Sequence, residues 1–514
     1  MNLKKLWPFS KSKKSKTTRP YFRGYNAADM GRLLSDWVSS GASMDSELRG
    51  ALPKIRNRSR ELVRNNDHAK SVIRAFGNNV IGEGVRMQSQ VLQARGGGKL
   101  DEKINSQIET QWEKWGKKIN CHTEGQMDFH DIAKMLVEQV FEAGEIYVRF
   151  IYQKFGDSKV PLSLEIIEAD KLDDDYNLKL AGESYIKMGV EKNQWGRPIG
   201  YHFYQTHPGE TGIYSGFQKK RVRIPADEVI PLFPVSRPGQ TRGVPVLASA
   251  MVNLHHMAGY QEGEVVTARA TSSLMGFIES PTGDALADDV DTNTGEKLTS
   301  FEPAVFKYLG PGEKMNVPNI QRPSGQFEPF VRAMLRSLGA GSGISYETIS
   351  RDYSQSNYSS TRQALVEDRD NYKIIQKWII RHFYQIVFEK WLDLAVLSGA
   401  VKIKNYELAP DLYKAPKWMP RGWSWIDPLK EVMANKAAVR AGFKTQSEVI
   451  SEMGGDYDQF IQMREREVKI AKEKGLVFDS DAALVDNAGA GQVVDPGGAS
   501  DPGSTADNSS PPAE

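Results

Sequence analysis

Apolar residues first recur at helical spacing. In "RNRSRELVRNNDHAKSVIRAFGNNVIG", Leu62, Val63, Ala69, Val72, Ile73 and Phe76 form one stripe, with Arg56, Arg58, Arg60 and Arg64 ahead of it or beside it. That spacing predicts a helix. The Gly-rich "ARGGGK" breaks the chain, and further helices are predicted over "DEKINSQIETQWEKWGK" and "FHDIAKMLVEQVFEAG". From Glu145 the period becomes that of strands. "EIYVRFIY", "LSLEIIEAD", "YIKMGVEKNQWGRPIGYHFYQT" and "RIPADEVIPLF" alternate or form short apolar runs punctuated by Gly, Pro and Asn.

"SRPGQTRGVP" closes this strand-rich part, and the next segment can make one helix of about 30 residues, or about 45 Å. A stretch of short strands and loops follows from Phe277, then a shorter helix in "FEPFVRAMLRSLGAG". "SRDYSQSNYSSTRQALVEDRD", Ser350 to Asp370, runs from a polar and aromatic loop straight into another helix. There Leu365, Tyr372, Ile379 and Ile386 recur every seven residues, with Ile375, Phe383 and Val387 alongside, which predicts close to 60 Å of helix. By spacing alone this is a core seam within one chain or between chains. After the Pro- and Trp-rich "LAPDLYKAPKWMPRGWSWIDP", helices return in "LKEVMANKAAVRAG" and "KTQSEVISEMGGDYDQFIQMREREVKIAKEKG". The expected fold class is α+β, and no internal repeat of fixed period is visible.

Composition changes this picture little, because 514 residues with 39% apolar and 26% charged content are ordinary for soluble globular material. Charge changes it more. The net charge of +2 hides a basic head, with eight Lys/Arg and no acid from Met1 to Ala28, and an acidic tail, with seven acids and no Lys/Arg from Asp479 to Glu514. Residues 1–47 read as a basic flexible arm and 479–514 as a disordered acidic tail. The head would suit nucleic acid or an acidic partner, or be a solvated arm with no fixed role. The single cysteine, Cys121, excludes an intrachain disulfide framework and any multi-cysteine metal site, and it fits a reducing compartment. "LWPF" is too short for the apolar region of a signal peptide, and no run approaches the roughly 18 apolar residues of a membrane span.

Catalytic chemistry is mostly missing from the pattern. "LGAGSGIS", Leu338 to Ser345, lacks the Lys-Ser/Thr of a phosphate loop, and neither Ser342 nor Ser345 has the frame of a nucleophile elbow. Three glycines after a helix read as a flexible exit. His255 and His256 point about 100° apart on a helix, one packed and one partly exposed, and His122 and His130 have no metal-site spacing. Glu168, Asp170, Asp173, Asp174 and Asp175 could hold a divalent cation but read more simply as a solvated loop. Cys121 beside His122 reads as a small semi-buried thiol. No cofactor, metal or catalytic residue is expected.

The order of segments is more informative than any one of them. "RNRSRELVRNN", "NNVIGEGV", "IEADKL", "GVEKNQWGRPIGYHFY", "SRPGQTRGVPVLA", "NYSSTRQALVEDRD" and "DPLKEVMANKAAVRAG" together resemble the lambda-type portal proteins of tailed bacteriophages, over about Arg56 to Leu476. The resemblance implies a ring, usually of twelve copies in the family, at one vertex of the viral head, through which double-stranded DNA is packaged and ejected. By position it implies a wing over 48–245, a stem helix over 246–275, a clip over 276–326 and a second stem helix over 327–344. A tunnel loop over 345–359, a long helix and return to the wing over 360–426, and a crown of helices over 427–478 complete the plan.

The same resemblance makes Arg351, Tyr353, Ser354, Gln355, Ser356, Asn357, Tyr358 and Ser359 the candidate DNA-channel residues. Hydroxyl and amide groups there would touch phosphate and sugar without gripping a base, and Arg351 with Asp352 nearly cancel in charge. Expected partners are further copies of the chain, non-specifically bound double-stranded DNA, the terminase large subunit, a head–tail adaptor, and the major capsid and scaffold proteins, with no membrane. The expected location is the virion, after assembly in the host cytoplasm. A shell-forming capsid or scaffold subunit, and a metal-dependent nuclease using Glu168 to Asp175, remain as alternatives.

Overall fold

The structure is a computed structural model that describes residues 40–93, 99–210, 220–273, 277–279, 289–290, 297–298, 314–316, 325–355, 357–423 and 427–476. The expected acidic tail, most of the basic arm, most of 276–326 and Ser356 lie outside the described residues. The first half runs α1 (Met44–Leu48), α2 (Leu52–Asn65), α3 (Asp67–Phe76), β1 (Arg86–Gln88), α4 (Glu102–Trp115), α5 (Lys118–Cys121), α6 (Phe129–Ala143), β2 (Ile146–Ile151) and β3 (Ser163–Glu168). Strands β4 (Leu178–Lys179), β5 (Tyr185–Lys187), β6 (Val190–Lys192), β7 (Pro198–Tyr204), β8 (Arg221–Pro225) and β9 (Val229–Leu232) follow. Then come α7 (Met251–Ser273), β10 (Phe277–Glu279), β11 (Asp289–Val290), β12 (Lys297–Leu298), β13 (Lys314–Asn316), α8 (Phe327–Ser342) and α9 (Tyr346–Ser350). The chain continues through α10 (Tyr358–Ile379), α11 (Gln385–Leu397), β14 (Lys417–Met419), α12 (Pro428–Arg440), α13 (Gln446–Glu452) and α14 (Tyr457–Lys474). The α+β class is as the periods predict.

The first predicted helix is two helices. Asn66 leaves the helical region (φ −119°, ψ 120°), and its side chain accepts from the His68 and Ala69 amides, so it ends α2 and caps α3. The helix predicted after "SRPGQTRGVP" starts as a 3-10 turn, Val246–Ser249, before α7. Leu247, Met251, Leu254 and Met257 are buried, whereas Val252, Val265 and Val266 are exposed. His255 and His256 are both exposed, contrary to the expected packed-and-exposed pair. "LGAGSGIS" is not a flexible exit either. Gly339 and Gly341 lie inside α8, Gly343 caps it at φ 73°, and a Cβ on Gly339 would stand 2.7 Å from the Ile344 carbonyl oxygen, so the chain doubles back tightly there.

Two antiparallel sheets fill the middle of the chain. One has the order β3-β2-β9, with Ile146 opposite both Glu168 and Leu232; the other is the meander β4-β5-β6-β7-β8. A small core of Tyr147, Leu172, Val190, Tyr201 and Phe203 lies between them. Strand β1 pairs with β14, which ties residues 86–88 to 417–419. Within 276–326 the described strands pair as β10 with β13 and β11 with β12.

The main core joins α2–α6, the β3-β2-β9 sheet, the start of α7, α8, α9 and the long helix α10–α11. A π-helical turn, Ile380–Tyr384, links α10 to α11 and adds one residue to the helical count. Before the turn the seven-residue pattern buries Tyr372 and Ile379 and half-buries Leu365; after it Ile386 is only half-buried, and Phe383 within the turn with Val387, Phe388 and Trp391 beyond it take over the buried face. They meet Trp112, Trp115 and Phe129, with Trp112 5.1 Å from Trp391 and Phe129 5.4 Å from Phe383 between ring centroids. The buried Gln376 amide donates to the Val80 carbonyl (3.2 Å), an orphan oxygen at the end of a second π-helical turn, Gly77–Ile81, and to the Arg421 carbonyl (3.0 Å).

Candidate functional site

The stretch Ser345–Ser359, expected as one loop, is loop only over Arg351–Asn357. Helix α9 occupies Tyr346–Ser350, and Tyr358 and Ser359 form the first turn of α10. Capping is the reason. The Ser345 hydroxyl accepts from the Thr348 amide at 3.3 Å, and Asn357 with Ser360 forms a reciprocal capping box (2.8 and 3.1 Å).

The base of this turn is pinned from α10. Buried Asp368 accepts from the Ser345 amide (2.8 Å), the Ser345 hydroxyl (2.7 Å) and the Thr348 hydroxyl (2.7 Å), and Asn371 donates to the Gly343 carbonyl at 2.8 Å. Further out, Asp352 accepts from the Ser354 amide and hydroxyl (3.0 and 2.6 Å) and from the Tyr346 hydroxyl (2.8 Å), bonds that hold its carboxyl down at about 2. Arg332 of α8 reaches Gln355 and stands 3.7 Å from Asp352. Arg351 sits in the left-handed region at φ 59°, where it ends α9.

The result is a fixed turn with a wet rim. Arg351, Tyr353, Ser354, Gln355, Asn357, Tyr358 and Ser359 are all exposed, and Ser356 lies outside the described residues. Hydroxyls, amides and two tyrosine rings can meet phosphate, sugar or base faces in passing; nothing in this set is placed to activate a nucleophile. Asp368→Ala removes the acceptor of three donors, and exchange of the Ser345 amide hydrogen should speed up by at least about tenfold. Unchanged exchange by mass spectrometry would mean that α10 does not hold the turn.

The carboxylates of Glu168 to Asp175 are not a solvated loop. Asp170 pairs with Arg60 (2.6 Å) and Arg56 (3.4 Å), Asp173 with Arg221 (2.5 Å), and Asp174 with Arg56 (3.5 Å) and Arg242. Of the five, Glu168 and Asp175 are exposed. Behind them lies fully buried Glu145, which accepts from Arg56 and Arg242 (2.9 and 2.8 Å), the Tyr147 hydroxyl and the Gly243 amide (both 2.9 Å). Burial alone would push Glu145 up, but Arg242 and Arg56 hold it below its ordinary value. Burial pushes Asp174 up despite the same two arginines.

Sequence reasoning missed Glu145 and Arg242. A signal was present in the glycines beside them: Gly144 turns at φ 93°, and a Cβ on Gly243 would run into the Gly144 carbonyl oxygen, so the two backbones touch only because both residues lack side chains. Glu168, Asp170 and His207 bring ligand atoms within 4.8 Å of one another, but Arg60 already holds both carboxylates. A metal there would have to displace a guanidinium.

Cys121 is buried outright, with burial pushing its thiol up to about 12, and its Sγ donates to the Gly116 carbonyl. His122 Nδ1 accepts from the Gln126 and Met127 amides, so the two neighbours do not form a nucleophile pair. His130 packs its ring against Gly84, and burial lowers its basicity.

A family model described as "Phage portal protein, lambda family" matches residues 30–376. The chain is 30% identical over 463 residues to the "Probable portal protein" of Halomonas phage phiHAP-1, covering 88% of each chain. It is 23% identical over 512 residues to "Portal protein B" of Escherichia phage lambda, covering 92% of this chain and 95% of that one. Among solved structures, a chain in the neck of an empty gene transfer agent particle is 14% identical with a TM-score of 0.41, over 77% of this chain and 93% of that chain.

Proposed function

The chain belongs to the lambda family of phage portal proteins and has the head–tail connector role of a virion structural protein, and from that premise we propose that it works as a closed ring around a DNA channel. In this reading 48–245 is the wing, α7 and α8 are the stem, 276–326 is the clip, and α12–α14 form the crown. The observation that carries it is the turn Arg351–Asn357: pinned at its base to a 40-residue helical column, Tyr358–Leu397, it offers solvent a polar rim in which the charges of Arg351 and Asp352 cancel. A loop that lines a DNA path must touch many phosphates weakly, since tight contacts would become a barrier at every step. The nuclease alternative loses its chemistry, because arginines occupy its carboxylates.

The clip is the docking surface for the terminase large subunit and a head–tail adaptor, and the wing faces capsid and scaffold proteins. Purified protein should assemble without nucleotide or metal; twelve copies of a 57.5 kDa chain give a particle of about 690 kDa. Native mass spectrometry with negative-stain imaging tests this. A stable monomer at micromolar concentration, or closed shells in place of rings, would overturn the reading.

A further inference from the structure

The C-terminal helices have almost no core of their own. Across α12, α13 and α14 only Ala471 is buried, while ten large apolar side chains between Leu429 and Leu476 stand 41–86% exposed. These side chains are not one patch but divide between separate faces, chiefly one on α12 and one on α14. Each face exposes on the order of a few hundred Å² of apolar surface, a size that on a monomer is often functional.

The exposed residues are patterned. On α14, Phe460, Met463 and Ile470 fall within an arc of about 80°. They lie beside the face of Tyr457, Arg464, Val468 and Ala471 that already packs inward, so α14 carries a second stripe that no described residue of its own chain covers. On α12, Leu429 and Met433 lie about 40° apart, opposite the half-buried side of Glu431, Asn435 and Ala438. Lys436 and Arg440 share the α12 face, while Glu467 and Lys474 both fall in the α14 stripe and Glu467 pairs with Arg464 of its own helix (3.4 Å), so what the two faces share is apolar character rather than opposite charge. Phe460, Met463 and Ile470 do not suit a DNA backbone, which would be met by cations and hydrogen-bond donors. In a closed ring each copy must present two different and complementary faces.

We propose that the α12 stripe of one copy seats against the α14 stripe of the next, so that the crown acquires its core only when the ring closes. This rests on the ring reading above. The exposed Val252, Val265 and Val266 of α7 extend apolar surface for the same neighbours along the stem.

The test is a cysteine pair, M433C with M463C, in the full chain. The natural Cys121 is buried and should stay silent. Mild oxidation of assembled double variant should give a ladder of disulfide-linked multimers, absent from either single variant. In wild-type rings, peroxide should oxidise Met433 and Met463 at least about tenfold more slowly than in denatured protein. Multimers, or that protection if the double variant fails to assemble, support the proposal. Wild-type rings in which both methionines oxidise as fast as in denatured protein, or an assembled double variant that cross-links only within one chain, overturn it while leaving the ring reading intact. Absence of rings in the wild type overturns both.

Discussion

Replacing Glu145 with Gln should destabilise the chain by about 3–5 kcal/mol, the usual cost of leaving buried charge without its partner. Both guanidinium groups that converge on Glu145 are out of solvent: Arg56 and Arg242 have side chains 1% and 0% exposed. Gln keeps the size of Glu and can still accept from Gly243, so the loss isolates charge rather than packing. Against a total of roughly 5–15 kcal/mol for a folded domain, such a loss should appear as poor soluble yield or a clearly lowered urea midpoint. A change below about 1 kcal/mol would show that Asp170 and Asp174 are sufficient counter-ions. The same network shapes the acid limb of stability. Glu145 and Asp170 are held below their ordinary values of 4.5 and 3.8, so their contribution is full above about those pH values and lost as pH falls toward their folded values. Asp174, pushed up by burial, works in the opposite sense and partly offsets them.

The network binds parts of the chain that must not move relative to one another. Arg56 comes from α2, Glu145 from the start of β2, Asp170 and Asp174 from the turn after β3, and Arg242 from the approach to α7. Arg242 also donates to the Ala169 and Met188 carbonyls, both at 3.1 Å, which fixes the meander of strands to the same point. In the proposed ring this knot lies where the wing meets the stem.

Local features were legible in the sequence. Alternation or short apolar runs marked β2, β3, β7 and β9, and helical spacing of apolar residues marked the main helices. Even the break at Asn66 can be read, since an Asn two residues before His68 is a ready cap. The Arg242–Glu145 pair was not legible, because 97 residues separate the partners and a charged residue carries no local mark of burial. The π-helical turn in the long helix was equally hidden, since one extra residue leaves a seven-residue pattern looking continuous. The polar loop was found but drawn too long, because Ser345 and Asn357 look like loop residues until their amide partners identify them as caps. In the C-terminal segments the sequence predicted helices but not that the described residues leave their apolar faces uncovered.

Changing Tyr353 and Ser354 together to Lys should strengthen DNA retention at low salt and slow translocation severalfold, with ring yield unchanged. Both side chains are exposed and neither caps a helix, whereas Asn357 does, so a charge at Asn357 would mix DNA binding with the loss of a cap costing about 1 kcal/mol. In a ring of about twelve copies the double change adds two dozen positive charges around the channel. Each further phosphate neutralised steepens the dependence of log affinity on log salt by about 0.9, so even four to six engaged lysines would add about 4–5 to that slope. The turn of the natural protein carries no net charge, because Asp352, its carboxyl held down at about 2, offsets Arg351, and this keeps the term small. Packaging rates measured at low and moderate salt decide the matter. A variant that slows at low salt and recovers at moderate salt places the turn beside the DNA. Equal rates for variant and wild type at both salt concentrations would mean that Arg351–Asn357 does not face the channel, and the candidate residues would then have to be sought on another face of the long helix.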